Sequence, residues 1–440
     1  MNQLLAKLFA TLDDRGVEYL LLRGYGELES AQPIQEIDLL VHPRCLARFE
    51  SVASRLDFRP WPAWGHEPHL FFLAFDPTDG CWIKLDVVTG LVYGRPVRWL
   101  QLDLDTHCWS KRRRVGPTWL PAPEDEFLTL LAHCVLDKER FREAHAARLQ
   151  TLWRELQDDA VRALRLACSL ERYLGPAARR EVQRDLEDEC VGSVLALGPG
   201  LARRLFWRQP RSALKRLLRT WMRRRLRRIL FLLHRHGTST VLLAPDGGGK
   251  STLAAALAED PWLQARVLYM GGNSGAGGIQ LPTTAWLERR IRATRGRWFA
   301  PERPLLRALR TVNHLLEDVT RHAAGELHKV QGRFVVYDRY FYDSHLSARA
   351  RAWRVRLRRW LMSRTCPVPD LVLVLDAPGE TLWARKREHT PELLERQRQI
   401  LLGLAESIHN LEVIDASRSA EEVRRQAVAA IWEDFGRRSS

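Results

Sequence analysis

The chain has 440 residues, which predicts two or three domains rather than one. Hydrophobic residues make up 45%, ample for buried cores, yet no apolar run approaches the ~20 residues of a membrane-spanning helix. The formal net charge is +16, and the seven cysteines are dispersed, odd in number and without a Cys-x-x-Cys pair. That pattern argues against a disulfide framework or structural zinc site and fits a reducing cytoplasm. The start, Met1 to Ala10, reads as a short amphipathic segment rather than a signal peptide.

Residues 1–120 read as the first region. Tyr19–Leu22, Ile37–Val41 and Trp82–Val88 have strand character, and Asn2–Arg15 and Cys45–Leu56 have helical periodicity. Glu36 and Asp38 sit at alternate positions of one strand, so they share a face. Leu20-Leu21-Leu22-Arg23-Gly24 with Gln35-Glu36-Ile37-Asp38-Leu39 resembles the nucleotidyltransferase-like fold. The resemblance implies that Glu36 and Asp38, with Asp86 from another strand, hold Mg²⁺ for nucleotidyl transfer. Two departures stand out: Glu36 replaces the usual Asp, and the Gly-Ser pair before the strand is absent. An inactive fold kept for substrate binding or docking is the other reading. His66, His69 and His133 lack metal-ligand spacing and read as core or surface residues.

Residues 121–200 read as a helical extension. Pro123 followed by Glu124, Asp125 and Glu126 is a helix start. Apolar residues then recur at helical spacing through Phe127, Leu131, Cys134, Leu149, Leu152, Leu156 and Leu164. Gly192–Gly200 reads as a softer linker.

Residues 201–236 read as a basic amphipathic linker helix. No carboxylate occurs between Glu189 and Asp246. Leu214, Leu217, Leu218, Trp221, Met222, Leu226, Ile229, Leu230 and Leu233 form one stripe opposite an arginine-coated face. Three readings are open. The stripe packs on the next domain with its arginines solvated; or residues 203–235 lie on an anionic membrane surface; or the helix binds nucleic acid. The last lacks a recognised module, so nucleic acid is not expected as a partner.

Residues 237–440 alternate strand and helix patterns. The strands are Thr240–Leu243, Val267–Met270, Phe334–Tyr337, Leu371–Leu375 and Leu411–Ile414, and they predict an α/β fold with a parallel five-stranded sheet covered by helices. Ala244-Pro245-Asp246-Gly247-Gly248-Gly249-Lys250-Ser251-Thr252 lies between the first of these strands and an Ala/Leu helix. Backbone N–H groups of such a loop wrap phosphates, Lys250 reaches the β/γ-phosphates, and Ser251 ligates Mg²⁺. Ala244 stands where the usual pattern has its first glycine. Asp338, at the end of the third strand, suits a Mg²⁺–water shell, and Arg339 suits a phosphate clamp. The cluster Arg385-Lys386-Arg387 reads as a lid over phosphate or as a solvated helix end.

Together these residues resemble the thymidylate kinase family of P-loop nucleotide kinases, over about Val241–Ile431. The segments that carry it are Pro245 to Thr252, Asp338-Arg339-Tyr340, Leu375-Asp376-Ala377-Pro378-Gly379-Glu380 with Arg385-Lys386-Arg387, and Asn410 to Ser417. The resemblance implies ATP as donor, Mg²⁺ on Ser251, Asp246 facing the acceptor, Arg339 on the acceptor phosphate, and Arg385 and Arg387 in the lid. One segment departs: Tyr269 to Gly278 is glycine-rich and lacks the arginine that family members present to a monophosphate acceptor. The acceptor is therefore open between a nucleotide and a sugar or sugar phosphate. The domain pairing points to nucleotide-sugar or surface-polysaccharide metabolism. The expected protein is a cytoplasmic phosphotransferase, with peripheral contact at the inner membrane surface and a dimer compatible with it. The rival is a regulatory ATP-binding protein docked through the basic helix.

Overall fold

Five runs in the C-terminal half become the strands of one sheet, and its three central strands, Ser239–Leu243, Val335–Asp338 and Leu371–Asp376, are buried on both faces as a parallel sheet requires. The structure is a computed structural model describing all residues except 24, 26–35, 64, 105–107, 188–192, 235–236, 271–278, 295–300, 347–352, 367 and 440. It divides into two units, Met1–Ile229 and Leu230–Ser440.

In the first unit, β1 (Tyr19–Arg23), β2 (Glu36–Val41), β3 (Arg59–Trp61), β4 (Leu70–Asp76) and β5 (Cys81–Val88) form a sheet of order β1-β2-β5-β4-β3. Only the β2/β5 pair is parallel. One face packs on the helices Gln3–Asp14 and Leu46–Arg55 through Leu21, Ile37, Leu39, Leu85 and Val87. The opposite face carries Leu20, Leu22, Leu40 and Val88 into a core shared with the helices that follow, Pro123–Ala132 first among them. Proline at the first turn and Glu124, Asp125 and Glu126 behind it start that helix where its dipole favours negative charge. Two hairpins, β6 (Leu91–Tyr93) with β7 (Leu100–Leu102) and β8 (Arg113–Val115) with β9 (Thr118–Leu120), complete the strands.

In the second unit, β10 (Ser239–Leu243), β11 (Arg266–Tyr269), β12 (Val335–Asp338), β13 (Leu371–Asp376) and β14 (Leu411–Asp415) form an all-parallel sheet of order β11-β12-β10-β13-β14. This is the expected mixed α/β sheet, each strand within one residue of its sequence reading. Val241, Leu243, Val335, Tyr337, Val372 and Val374 form its core. The order changes direction at β10, between β12 and β13, which opens a crevice at the carboxyl ends of the strands.

The helix Pro210–His234 joins the units in sequence. Up to Ile229, the side of this helix turned onto the first unit is not its apolar stripe. Leu214, Leu218, Trp221 and Met222 are exposed, while Arg216 and Arg223 bond to other parts of the first unit. Among the described residues no helix is long and apolar enough to cross a membrane.

Candidate functional site

The site lies at the carboxyl ends of β10 and β12. The loop after β10 turns through Gly247 (φ +85°) and Gly249 (φ +86°), both in the left-handed region that glycine enters without penalty. A Cβ on Gly247 would lie 2.6 Å from the Leu382 carbonyl oxygen, and one on Gly248 would lie 2.5 Å from Ala244 Cβ. At these two positions the loop backbone approaches its surroundings too closely for a side chain. The helix Lys250–Glu259 begins directly after it. Lys250 is buried and donates through Nζ to the carbonyls of Ala244 (2.6 Å) and Pro245 (3.1 Å). Burial pushes its ammonium below the usual lysine range, against the pull of Asp343, Asp246 and Asp338.

Asp338 pairs in register with Leu242 of β10 and Tyr269 of β11, so its buried carboxylate stands at the strand tips. Its Oδ2 accepts from the Ser251 hydroxyl at 3.1 Å, while its Oδ1 is buried with no hydrogen-bond partner. A buried carboxylate oxygen without a donor is costly unless a ligand completes it. Arg339 follows with φ +69°, a conformation uncommon outside glycine. Its guanidinium lies 3.5 Å from Asp246 Oδ1 and 5.9 Å from the Tyr269 ring centroid. His389 Nε2 is 3.3 Å from Asp246 Oδ2, so the loop carboxylate meets a basic side chain at each oxygen.

A cleft of about 900 Å³ runs along this loop. Asp246, Gly247, Gly248, Gly249, Lys250, Ser251, Thr252, Asp338, Arg339 and Arg385 all line it. Arg387 is not among its lining residues; it takes φ +52° and stacks over Trp383 at 5.6 Å. Arg385 donates to the Ala416 carbonyl at 2.9 Å, which fixes it at the rim. The glycine-rich segment 271–278 lies outside the described residues.

Lys386, from the basic cluster read as a lid, lines the cleft as well, and so do two cations not singled out in the sequence, Arg418 and Arg424. Asp343 was missed as well. Its Oδ1 is buried and unbonded, and burial pushes its carboxyl up to about 6 against the charges of Lys250 and Arg339. A lone carboxylate behind an aromatic run carries no motif; only the fold brings it near Lys250.

The structure also brings Glu36, Asp38 and Asp86 together, with one oxygen from each within 4.8 Å of the others. Parallel pairing of β2 with β5 sets Asp38 opposite Asp86. Each carboxylate already has a basic partner. Glu36 meets Lys84 at 2.7 Å, Asp38 meets Arg23 at 2.9 Å, and Asp86 bonds to His69. Burial pushes the Asp38 carboxyl up, but the Arg23 guanidinium outweighs it and holds it below the usual range. The three carboxylates converge as a metal site would need, and a divalent ion there would exchange with these basic partners.

No family model matches the chain. It is 29% identical over 116 residues to a protein of Thermococcus gammatolerans described as "Probable thymidylate kinase", covering 24% of this chain and 53% of that protein. Proteins with the same description from Pyrococcus abyssi (32% over 111 residues; 23% and 53% covered) and Thermococcus kodakarensis (31% over 112; 23% and 52%) are also similar. The chain spans about half the length of the curated relatives it matches. This distant similarity supports a kinase-like region within the chain.

Proposed function

We propose that the second unit is an ATP-dependent phosphotransferase of the thymidylate kinase type, acting on a nucleotide or a sugar-linked acceptor. The observation that carries the reading is the buried, unbonded Oδ1 of Asp338 beside Ser251, at the mouth of a loop closed to any side chain at Gly247 and Gly248. In the reaction the bond from the γ-phosphorus to the β–γ bridging oxygen of ATP breaks, one from that phosphorus to the acceptor oxygen forms, and ADP leaves. Loop N–H groups and the helix N-terminus hold the phosphates. Lys250 leaves the Ala244 and Pro245 carbonyls to donate to phosphate oxygens. Ser251 and Asp338 are the groups that would hold Mg²⁺, which when bound neutralises charge on those oxygens. Arg385, Lys386, Arg418 and Arg424 line the cleft and add positive charge where phosphoryl charge spreads. Asp246, held between Arg339 and His389, forms the acceptor side, where Arg339 suits an acceptor phosphate and Asp246 a hydroxyl.

Calorimetric titration with ATP and Mg²⁺ tests the binding half of this reading. Saturable binding that Lys250→Ala weakens at least ~10-fold is expected. No binding would overturn it. Binding without acceptor-dependent ADP release would leave the regulatory reading in its place.

A further inference from the structure

Up to Ile229, the helix Pro210–His234 turns its small and hydrogen-bonding side onto the first unit and its apolar side away from it. Ala213 and Thr220 are buried. Arg216 donates to the Trp99 carbonyl (3.1 Å) and to Gln101 Oε1 (2.9 Å). Arg223 pairs with Glu67 at 3.0 Å, and Arg224 donates to the Pro96 carbonyl at 2.6 Å. These contacts fix the rotation of the helix. At about 100° per residue, they leave Leu214, Leu218, Trp221, Met222, Leu226 and Ile229 on the opposite side, each 44–54% exposed. Arg211, Lys215, Arg219 and Arg225 are exposed on or beside that face, Arg225 with its guanidinium 5.3 Å from the Trp221 ring centroid.

We propose that this face docks on an anionic membrane surface. Its apolar side chains enter the boundary between headgroups and acyl chains, and its cations pair with lipid phosphates. Scattered exposed apolar residues are ordinary, but six on one helix face, interleaved with cations, are not. Charge selects the occupant. A second copy would oppose the same cations with no carboxylate in the segment to pair them, since none occurs between Glu189 and Asp246. Nucleic acid would satisfy the arginines but leave Leu218 and Met222 against phosphate and water. The proposal is independent of the kinase reading.

Sedimentation of the full chain with phosphatidylcholine vesicles, with and without phosphatidylglycerol, at about 0.15 M salt tests it. Partition onto the anionic vesicles at least ~10-fold stronger than onto neutral ones is expected. It should vanish in Leu218→Asp/Met222→Asp and fall in Arg219→Glu/Arg225→Glu. These side chains are exposed, so circular dichroism and melting temperature should match the wild type. Leu218→Ser/Met222→Ser serves as a milder variant and should show intermediate partition. The proposal is overturned if the wild type stays in the supernatant with anionic vesicles, or if the Asp and Ser variants both sediment like it. It is equally overturned if light scattering shows a doubled mass that reverts in the Asp variant, which would assign the face to a second copy.

Discussion

The Ser251 hydroxyl donates to Asp338 Oδ2 across 3.1 Å, joining the first turn of the helix after the glycine-rich loop to the tip of β12. Leu242 and Asp338 lie opposite each other in the β10/β12 pairing, so the two elements meet where the sheet order changes direction. A hydroxyl and a carboxylate held in this way are preorganised for a shared cation. Asp338→Asn keeps an acceptor for Ser251 and removes only the charge. It should lower kcat at least ~100-fold with no loss of melting temperature, as initial rates and calorimetry will show. Unchanged kcat would remove Asp338 from the chemistry.

The glycines separate steric from conformational demand. Gly249 (φ +86°) has open space where a Cβ would go, so Gly249→Ala should cost only the backbone penalty, about 1 kcal/mol. Gly247 has a similar φ and a backbone carbonyl 2.6 Å from its Cβ position. Gly247→Ala should cost at least twice as much in urea melts and abolish ATP binding. Equal effects would mean that the approach of Leu382 is unimportant.

Asp343 makes stability pH-dependent in a predictable sense. Its carboxyl is raised from an ordinary 3.8 to about 6. A raised folded-state pKa favours the protonated form, so this contribution is fully present below pH 3.8 and is lost as pH rises through about 6. Asp343→Asn should therefore stabilise the protein at pH 7.5 by about 1–3 kcal/mol, and the gain should shrink towards pH 4. A gain independent of pH would contradict this origin.

In the first unit the Arg23–Asp38 pair is expected to contribute to stability. Arg23→Met leaves a partly buried carboxylate without its partner and should destabilise by about 2 kcal/mol. The Asp38 pKa is depressed, so the pair contributes fully above the ordinary Asp range and loses that contribution as pH falls through the folded value. The difference between Arg23→Met and wild type should thus be largest at neutral pH and narrow in acid, as denaturant melts at each pH will show.

The central strands of the second unit were legible because strands buried on both faces read as apolar runs. β4 was not read although Leu70–Phe75 is an equally apolar run, and its place in the sheet comes from antiparallel pairing with β5 and β3. Of the site, the loop and Asp338 announce themselves through local chemistry. Arg418 and Arg424 reach the cleft from beyond β14 and carry no motif. The stripe on Pro210–His234 was visible, but which side of the helix packs on the first unit was not. That depends on carbonyls at Trp99 and Pro96, far away in sequence, accepting from Arg216 and Arg224.

ADP release from Mg-ATP across a panel of nucleoside monophosphates, sugars and sugar phosphates tests the central claim most directly, with Lys250→Ala alongside. Release should depend on one acceptor class and disappear in the variant. ATP hydrolysis or binding that no acceptor stimulates, or acceptor-dependent release that survives Lys250→Ala, would contradict it.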